Sequence, residues 1–250
     1  MNKSIPKRVE YAAKNIETPF HIYDEMLIRE NSRKLHDAFS WVQNLDGSEN
    51  GFKNYFAVKA LPNPHILNIL KEENMGFDCS SGAELEMMKR LGVRGEEIIF
   101  TSNNTPMNEY QKATELGAIV NFDDISHIDD FMNNLGVPET FCLRYNPGSV
   151  KKGNEIIGNP EQAKFGFTKK DVMKAYPMMR DMGSKRFGLH AMIASNELQE
   201  EYFIETAKIL FDLVVELYKK EGIKIEFINL GGGIGIPYHP NDNSVNYYKS

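Results

Sequence analysis

Short apolar runs rich in β-branched and aromatic residues recur at nearly equal intervals along the chain. Five of them begin at Tyr55, Phe77, Ile98, Ile119 and Phe141, so that successive starts are 21 or 22 residues apart. The runs are almost continuously apolar, which is typical of strands covered on both faces of a parallel sheet. Helix-type segments lie between them, and this alternation predicts βα units.

The segments between these runs carry the start and stop signals of α helices. The range Ser81–Glu84 has the form of a capping box, and Gly92 is the stop that follows it. The pair Thr105-Pro106 opens the next helical segment, which ends at Gly117. These signals mark where the helices of the first βα units begin and end.

Two longer units extend the alternation, with strands six and seven predicted from Phe187 and Ile225. Asn196 is of a residue type that caps helices, and we expect it to begin the helix between them. The core-facing stripe of that helix is expected at Ile204, Ala207, Leu210, Phe211 and Val214.

Polar or reactive residues follow nearly every predicted strand, which favours a (β/α)8 TIM-type barrel over an open doubly wound sheet. In a barrel those strand ends converge on one site. Only seven strands are predicted, because no eighth apolar run follows Tyr238. We therefore expect an α/β barrel over residues 31–250 that is truncated after strand seven. Residues 1–30 hold a strand-like run, Thr18–Glu25, which should pair with something outside this sequence.

Composition and charge exclude several classes of partner. The 250 residues are 41% hydrophobic with a net charge of −6, and the basic residues are scattered, so neither nucleic acid nor anionic lipid is expected to bind. No apolar run approaches the roughly 20 residues of a membrane span, and no secretory signal is evident, which favours the cytoplasm. Cys79 and Cys142 lie in apolar segments and are interpreted as buried, inert thiols; no metal site is predicted.

The first candidate for chemistry is Lys59, at the end of the first predicted strand. An amine at the carboxyl end of a barrel strand points into the mouth, where partial desolvation lets it lose its proton and form a Schiff base. A solvated surface lysine is the plainer interpretation of this residue taken alone.

The second candidate is the Gly231–Gly233 triplet, directly after the seventh predicted strand. Consecutive glycines let backbone N–H groups approach an anion, and barrels commonly bind phosphate in the loops after strands seven and eight. A tight, flexible turn is the alternative. The dinucleotide fingerprint does not fit, because it should open a Rossmann unit early in the chain.

Five motifs together resemble one known family. They are Phe56–Ala60, Asp78–Ser81, Lys164–Gly166, Gly188–His190 and Gly231–Ile236. Their types and order are similar to the alanine-racemase-type barrel family of pyridoxal-phosphate-dependent amino-acid decarboxylases (fold type III), particularly its members acting on diaminopimelate. The resemblance extends over nearly the whole chain.

The resemblance implies a role for each matching residue. Lys59 would hold pyridoxal phosphate as a Schiff base, and Gly231, Gly232 and Gly233 would bind its phosphate with help from Ser195. Arg144 would lie near the phenolic oxygen of the cofactor, and Asp78 near the lysine. A structural ion pair at the barrel mouth is the alternative for Arg144 and Asp78.

One position departs from the family pattern. Members usually have a histidine three positions before the phosphate-binding serine, where it stacks on the pyridine ring, and here that position is Met192. His190 lies two residues earlier and should therefore point to the same side of the strand. Either residue could take the stacking role.

The activity implied by the resemblance is decarboxylation of a small amino acid, with meso-diaminopimelate converted to L-lysine. The family's acidic partner for the pyridine nitrogen, its eighth strand and a C-terminal β domain lie beyond the sequence, as does a cysteine contributed across a homodimer interface. These 250 residues alone are expected to be inactive. The alternatives are another decarboxylase or racemase of the family, acting for example on ornithine or arginine, and a non-catalytic pyridoxal-phosphate-binding barrel.

Overall fold

The computed structural model describes residues 5–44, 46–49, 51–150, 165–239, 241–246 and 248. Within these residues there are seven strands and eight α helices. The strands are β1 (Tyr55–Ala57), β2 (Gly76–Cys79), β3 (Ile98–Thr101), β4 (Ile119–Phe122), β5 (Thr140–Arg144), β6 (Arg186–His190) and β7 (Phe227–Asn229). The helices are α1 (Ile5–Asn15), α2 (Glu25–Ala38), α3 (Pro64–Glu72), α4 (Gly82–Arg90), α5 (Met107–Glu115), α6 (Ser126–Leu135), α7 (Lys169–Met182) and α8 (Glu200–Glu221).

The seven strands form one parallel sheet in the order β1 to β7, so each strand pairs with the next one along the chain. The seven predicted strands are therefore confirmed, as are the helices that alternate with them. Because all strands are parallel, their carboxyl ends lie along one edge. Among the described residues no ladder joins β1 to β7.

Side-chain contacts between distant strands show that the sheet curls. Adjacent strands lie about 4.8 Å apart, so three spacings would separate β3 from β6 by roughly 14 Å in a flat sheet. Arg186, the first residue of β6, nevertheless forms ion pairs with Glu226 before β7 and with Glu96 before β3. The Tyr55 hydroxyl of β1 also donates to the Glu96 carbonyl oxygen at 2.7 Å. The amino ends of the strands thus close around an ionic cluster opposite the mouth.

The barrel interior above this ionic cluster is apolar, and aromatic rings from both outer strands fill it. Tyr55 and Phe227 pack against Ile99, Ile119 and Cys142 in a cluster separate from the main core. Each ring lies against a glycine of the neighbouring strand, where any larger residue would clash with it. A Cβ added to Gly76 would lie 2.6 Å from the Tyr55 ring, and one added to Gly188 would lie 2.1 Å from the Phe227 ring. The inner layer therefore depends on two glycines.

Helix α8 differs from its prediction at both its start and its buried face. It begins at Glu200 with Gln199 as N-cap, not at Asn196. Its buried residues are Thr206, Leu210, Leu213 and Leu217, whereas Phe211 is 56% exposed. The stripe is displaced because the sequence offers apolar residues on two sides of this helix, and packing against the sheet selects one of them.

Asn196 instead links two loops at the barrel mouth. Its φ is +49°, and its Oδ1 accepts a hydrogen bond from the Ile236 N–H at 3.2 Å. The neighbouring residue Glu197 forms a parallel β-bridge with Ile234. The loops after β6 and β7 therefore run side by side, which delays the start of α8.

The N-terminal part is helical at α1 and α2, and residues 20–24 are neither helix nor strand and have no ladder partner among the described residues. The expected pairing of this run with another domain stays a prediction. The boundary drawn between residues 30 and 31 falls inside α2. Arg29 and Arg33 of α2 bind Glu73 beside α3, at 3.0 and 2.8 Å, so this helix packs with the barrel. None of the described helices is both long enough and apolar enough to span a membrane.

Candidate active site

Lys59 lies just beyond the first strand and not at its end. Strand β1 stops at Ala57, and Lys59 is in the 3₁₀ helix Val58–Ala60, with an exposed side chain. The expectation of a strand-end position is therefore wrong by two residues, because the chain turns towards Pro64 and α3 as soon as its ladder ends. Ala57 pairs with Asp78 in the parallel register, which brings Lys59 to the mouth beside that carboxylate.

Asp78 projects into the mouth from β2. Thr101 of β3 donates its hydroxyl hydrogen to Asp78 Oδ1 at 3.1 Å. Burial raises the pKa of Asp78 to about 6, although the Thr101 hydrogen bond and the positive charge of Lys59 both oppose the rise. The carboxyl group is therefore ionised at neutral pH and ready to take up a proton slightly below it.

The pKa of Asp78 predicts a pH dependence of stability with a definite sign. An unfolded aspartate titrates near pH 3.9, so between about pH 4 and pH 6 the native state binds more protons, and stability falls as pH rises. Asp78→Asn should remove this slope. From about pH 4 to pH 6 the free energy of unfolding of the variant should therefore rise by on the order of 2 kcal/mol relative to that of wild type. Urea unfolding at a series of pH values measures it.

Asp124→Asn is the matched control for this experiment. Ser126 donates to the Asp124 carboxylate through both its hydroxyl and its backbone N–H, and these bonds lower the pKa of Asp124. Stability from Asp124 is present above the unfolded pKa and is lost as pH falls through the lowered folded pKa, so Asp124→Asn should remove a slope of opposite sign below about pH 4 and leave the slope between about pH 4 and pH 6 unchanged. Parallel curves for wild type and Asp78→Asn would contradict the assignment of Asp78.

Arg144, at the end of β5, is held by three oxygen atoms. Its guanidinium donates to Asp123 Oδ1 at 3.2 Å, to Asn103 Oδ1 at 3.1 Å and to the Met192 carbonyl oxygen at 3.0 Å. The ion pair at the mouth therefore joins Arg144 to Asp123 and not to Asp78. Burial raises the pKa of Asp123, and the charge of Arg144 opposes that rise.

Sequence reasoning missed Asp123, which directly follows β4, and Asn103, which lies two residues after the end of β3. Their position after β4 and β3 was the available signal, because such residues meet at the mouth. The Phe165 ring faces the Arg144 guanidinium, with its centroid 5.7 Å from the guanidinium carbon. Lys164, from the motif that contains Phe165, lies outside the described residues.

The two candidates for ring stacking occupy different places. His190 is only 5% exposed, and its Nδ1 pairs with the side-chain amide of Asn121 inside the barrel. Burial, together with the charges of Arg144 and Lys59, lowers the pKa of His190 to about 3, so the ring is neutral. The Sδ of Met192, in contrast, accepts the Gly232 N–H at 3.3 Å, which places its side chain against the glycine loop.

The Gly231–Gly233 loop adopts a conformation that requires glycine at two positions. Gly231 and Gly233 have φ of +78° and +84°, and a Cβ on either would lie 2.2 Å from a carbonyl oxygen of the β6 loop, that of Ala191 or Ala194. A Cβ on Gly232 would meet nothing within 4 Å. The loop is therefore pressed against the β6 loop while its middle residue faces open space.

Ser195 lies beside this loop, as the candidate phosphate site requires. The Cβ position of Gly233 is 2.9 Å from the Ser195 nitrogen. Within the described residues no protein group accepts the Gly233 N–H, whereas the Gly231 N–H is bonded to Asn229 Oδ1 at 2.8 Å. A free backbone donor, a serine and an open glycine surface fit a phosphate group. No three His, Cys, Asp or Glu of the described chain are grouped to bind a metal.

Comparison with known proteins identifies one family. The family described as pyridoxal-dependent decarboxylase, pyridoxal binding domain, matches residues 33–250. Protein TabA of Pseudomonas amygdali pv. tabaci is 40% identical over 91% of this chain and 52% of that protein. The diaminopimelate decarboxylase of Methanothermobacter thermautotrophicus is 33% identical over 91% of this chain and 52% of that protein.

A solved structure has the same fold. The crystal structure of diaminopimelate decarboxylase from M. jannaschii in complex with L-lysine matches with a TM-score of 0.83 and 30% identity, over 97% of this chain and 57% of that one. This match confirms the expected class of fold. The chain spans about half the length of the curated relatives it matches.

Proposed function

The chain belongs to the pyridoxal-dependent decarboxylases, and from this membership we propose that its barrel mouth binds pyridoxal phosphate for decarboxylation of an amino acid, meso-diaminopimelate. The observation that carries the proposal is the convergence of Lys59 after β1 and the glycine loop after β7 on one edge of the sheet. An amine and a phosphate site at the two sides of one mouth match the two ends of this cofactor.

The cofactor supplies the electron sink for the bond that breaks, and this chain supplies attachment, orientation and charge. We assign covalent attachment to Nζ of Lys59 and the phosphate to Gly231–Gly233 with Ser195. The Asp78 carboxylate, close to Lys59 and ionised at neutral pH, can accept the proton that Nζ releases. Its pKa of about 6 also lets it return that proton.

Arg144 and Met192 have orienting roles in this proposal. Asp123 and Asn103 hold the Arg144 guanidinium in place, so that it presents positive charge to an anionic oxygen without reorganising. We assign the face of the cofactor ring to Met192, because its side chain reaches the glycine loop while the His190 ring is engaged with Asn121. A thioether packs well against an aromatic ring.

The substrate is the less constrained part of the proposal. Diaminopimelate is favoured by the names of one relative and one solved structure at 33% and 30% identity, whereas the name of TabA states no substrate. Ornithine, arginine and racemisation remain the alternatives within the family. A homodimer in the cytoplasm belongs to the same proposal and is supported by the resemblance and by the composition.

The decisive assay is release of carbon dioxide from meso-diaminopimelate, L-ornithine and L-arginine. We expect turnover of meso-diaminopimelate by a version extended to the length of the relatives, and cofactor binding without turnover by these 250 residues. The reason is that substrate groups and an acid at the pyridine nitrogen are expected outside them. Comparable turnover by both versions would contradict this division, and preference for ornithine would change the substrate.

A further inference from the structure

A chain of hydrogen-bonded side chains crosses the barrel beneath the mouth. Thr101 donates its hydroxyl hydrogen to Asp78 Oδ1 at 3.1 Å, and Asn121 donates from Nδ2 to Thr101 Oγ1 at 3.3 Å. The same Asn121 nitrogen contacts Nδ1 of His190. On its other side, Asn121 Oδ1 accepts from the Cys142 thiol at 3.3 Å. The proposed function assigns no role to Asn121.

The number of available hydrogens determines which atom donates and which accepts in each of these hydrogen bonds. The single hydroxyl hydrogen of Thr101 goes to Asp78, which is ionised at neutral pH, so Thr101 must accept a hydrogen from Asn121. The second amide hydrogen of Asn121 then faces His190, and Nδ1 must be an acceptor. A neutral imidazole that accepts at Nδ1 carries its proton on Nε2.

The Nε2–H of His190 is left available for a ligand. No described residue accepts it, although His190 is 5% exposed. Among the described side chains only Nε2 of His36 is both fully buried and unpartnered, so Nε2 of His190, which has no described partner, is not fully enclosed. The positive charges of Lys59 and Arg144 act on this ring. A neutral donor close enough to feel two cations suits an anionic oxygen.

We propose that Asn121 is a positioning residue that holds the proton of His190 on Nε2, so that His190 donates an in-plane hydrogen bond to an anionic oxygen bound between Lys59 and Arg144. The identity of the ligand rests on the proposed function, whereas the tautomer of His190 follows from the hydrogen bonds alone. The oxygen is a phenolate of pyridoxal phosphate or a carboxylate of the amino acid, two groups with the same acceptor chemistry.

The tautomer can be read directly by nitrogen-15 NMR of histidine-labelled protein without ligand, with His190→Gln used to identify the signal. We expect Nε2–H in wild type at pH 7. Asn121→Asp, which accepts where the amide donates, should protonate Nδ1. Cys142→Ser is the matched control, because it touches Asn121 from the other side and should keep the proton on Nε2. Nδ1–H in wild type would overturn the proposal, whether or not any variant folds.

The ligand is tested with pyridoxal phosphate alone and then with meso-diaminopimelate added. A downfield shift of the Nε2–H proton with the cofactor alone identifies the phenolate, and a shift only with the amino acid identifies the carboxylate. Asn121→Leu should raise the cofactor dissociation constant about tenfold in the first case. No shift in either case, with binding confirmed by absorbance, would refute the donor role. Absence of binding would refute the proposed function and leave the tautomer result standing.

Discussion

Replacement of Lys59 by alanine should abolish covalent attachment of pyridoxal phosphate. Lys59 is exposed at the mouth beside Asp78, and we assign it the amine that bonds to the cofactor. Borohydride reduction of the loaded protein followed by peptide mapping should label Lys59 in wild type and give essentially no label in Lys59→Ala. Lys59→Arg should behave similarly, because a guanidinium keeps the charge but is not a nucleophile at neutral pH.

Lys53→Ala is the matched control for this experiment. Lys53 precedes the same strand at its opposite end, where it forms an ion pair with Glu97 on the side of the ionic cluster. Its removal should leave the label unchanged. Label on any lysine other than Lys59 in wild type would be incompatible with the assigned attachment.

Gly233→Ala should disrupt the glycine loop and weaken cofactor binding strongly. The new Cβ would lie 2.2 Å from the Ala194 carbonyl oxygen, a backbone atom that a rotamer change cannot move, and the φ of +84° disfavours any side chain. The left-handed conformation costs about 1–2 kcal/mol and overpacking about 1–3 kcal/mol, so we expect a loss near 3 kcal/mol in the free energy of unfolding.

Gly232→Ala provides the comparison, because the neighbouring glycine has open space around it. Its free energy of unfolding should stay within about 0.5 kcal/mol of wild type. Urea unfolding and a cofactor titration of both variants separate the effect on the loop from an effect on the phosphate. Equal stabilities of the two variants would show that the close approach of Gly233 to the β6 loop does not hold in solution.

The regular spacing of the apolar runs was enough to predict the seven strands and their order. Each run is a local feature of the chain, and each βα unit is short enough for consecutive strands to become neighbours. Ser81, Gly92 and Gly117 mark helix ends as predicted, because caps and stops depend on adjacent residues. The capping prediction at Asn196 was wrong because the next residue, Glu197, forms a β-bridge with Ile234 of the β7 loop. That contact joins residues 37 positions apart in sequence and sets the backbone there.

The candidate site was predictable in its members but not in their pairing. Lys59, Asp78, Arg144, Ser195 and the glycine loop all lie near or just beyond the carboxyl ends of parallel strands, so the sequence placed them at one edge before the structure did. Their cofactor-binding roles stay predictions. The partners of Arg144 and His190, which are Asp123 after β4 and Asn121 within β4, were not found, because several polar residues lie at each strand end and spacing does not show which of them meet.

The sequence by itself determined where strands and helices form and which end of the sheet carries the polar groups, because periodicity and capping act over a few residues. Only the tertiary structure decided which polar groups meet. Asn121 and His190 are 69 residues apart, and their contact requires the parallel register of β4, β5 and β6 together with the inward curl of the sheet. Packing of Tyr55 and Phe227 against the interior residues of β3, β4 and β5 stabilises that curl, and such long-range contacts are not encoded in any local pattern.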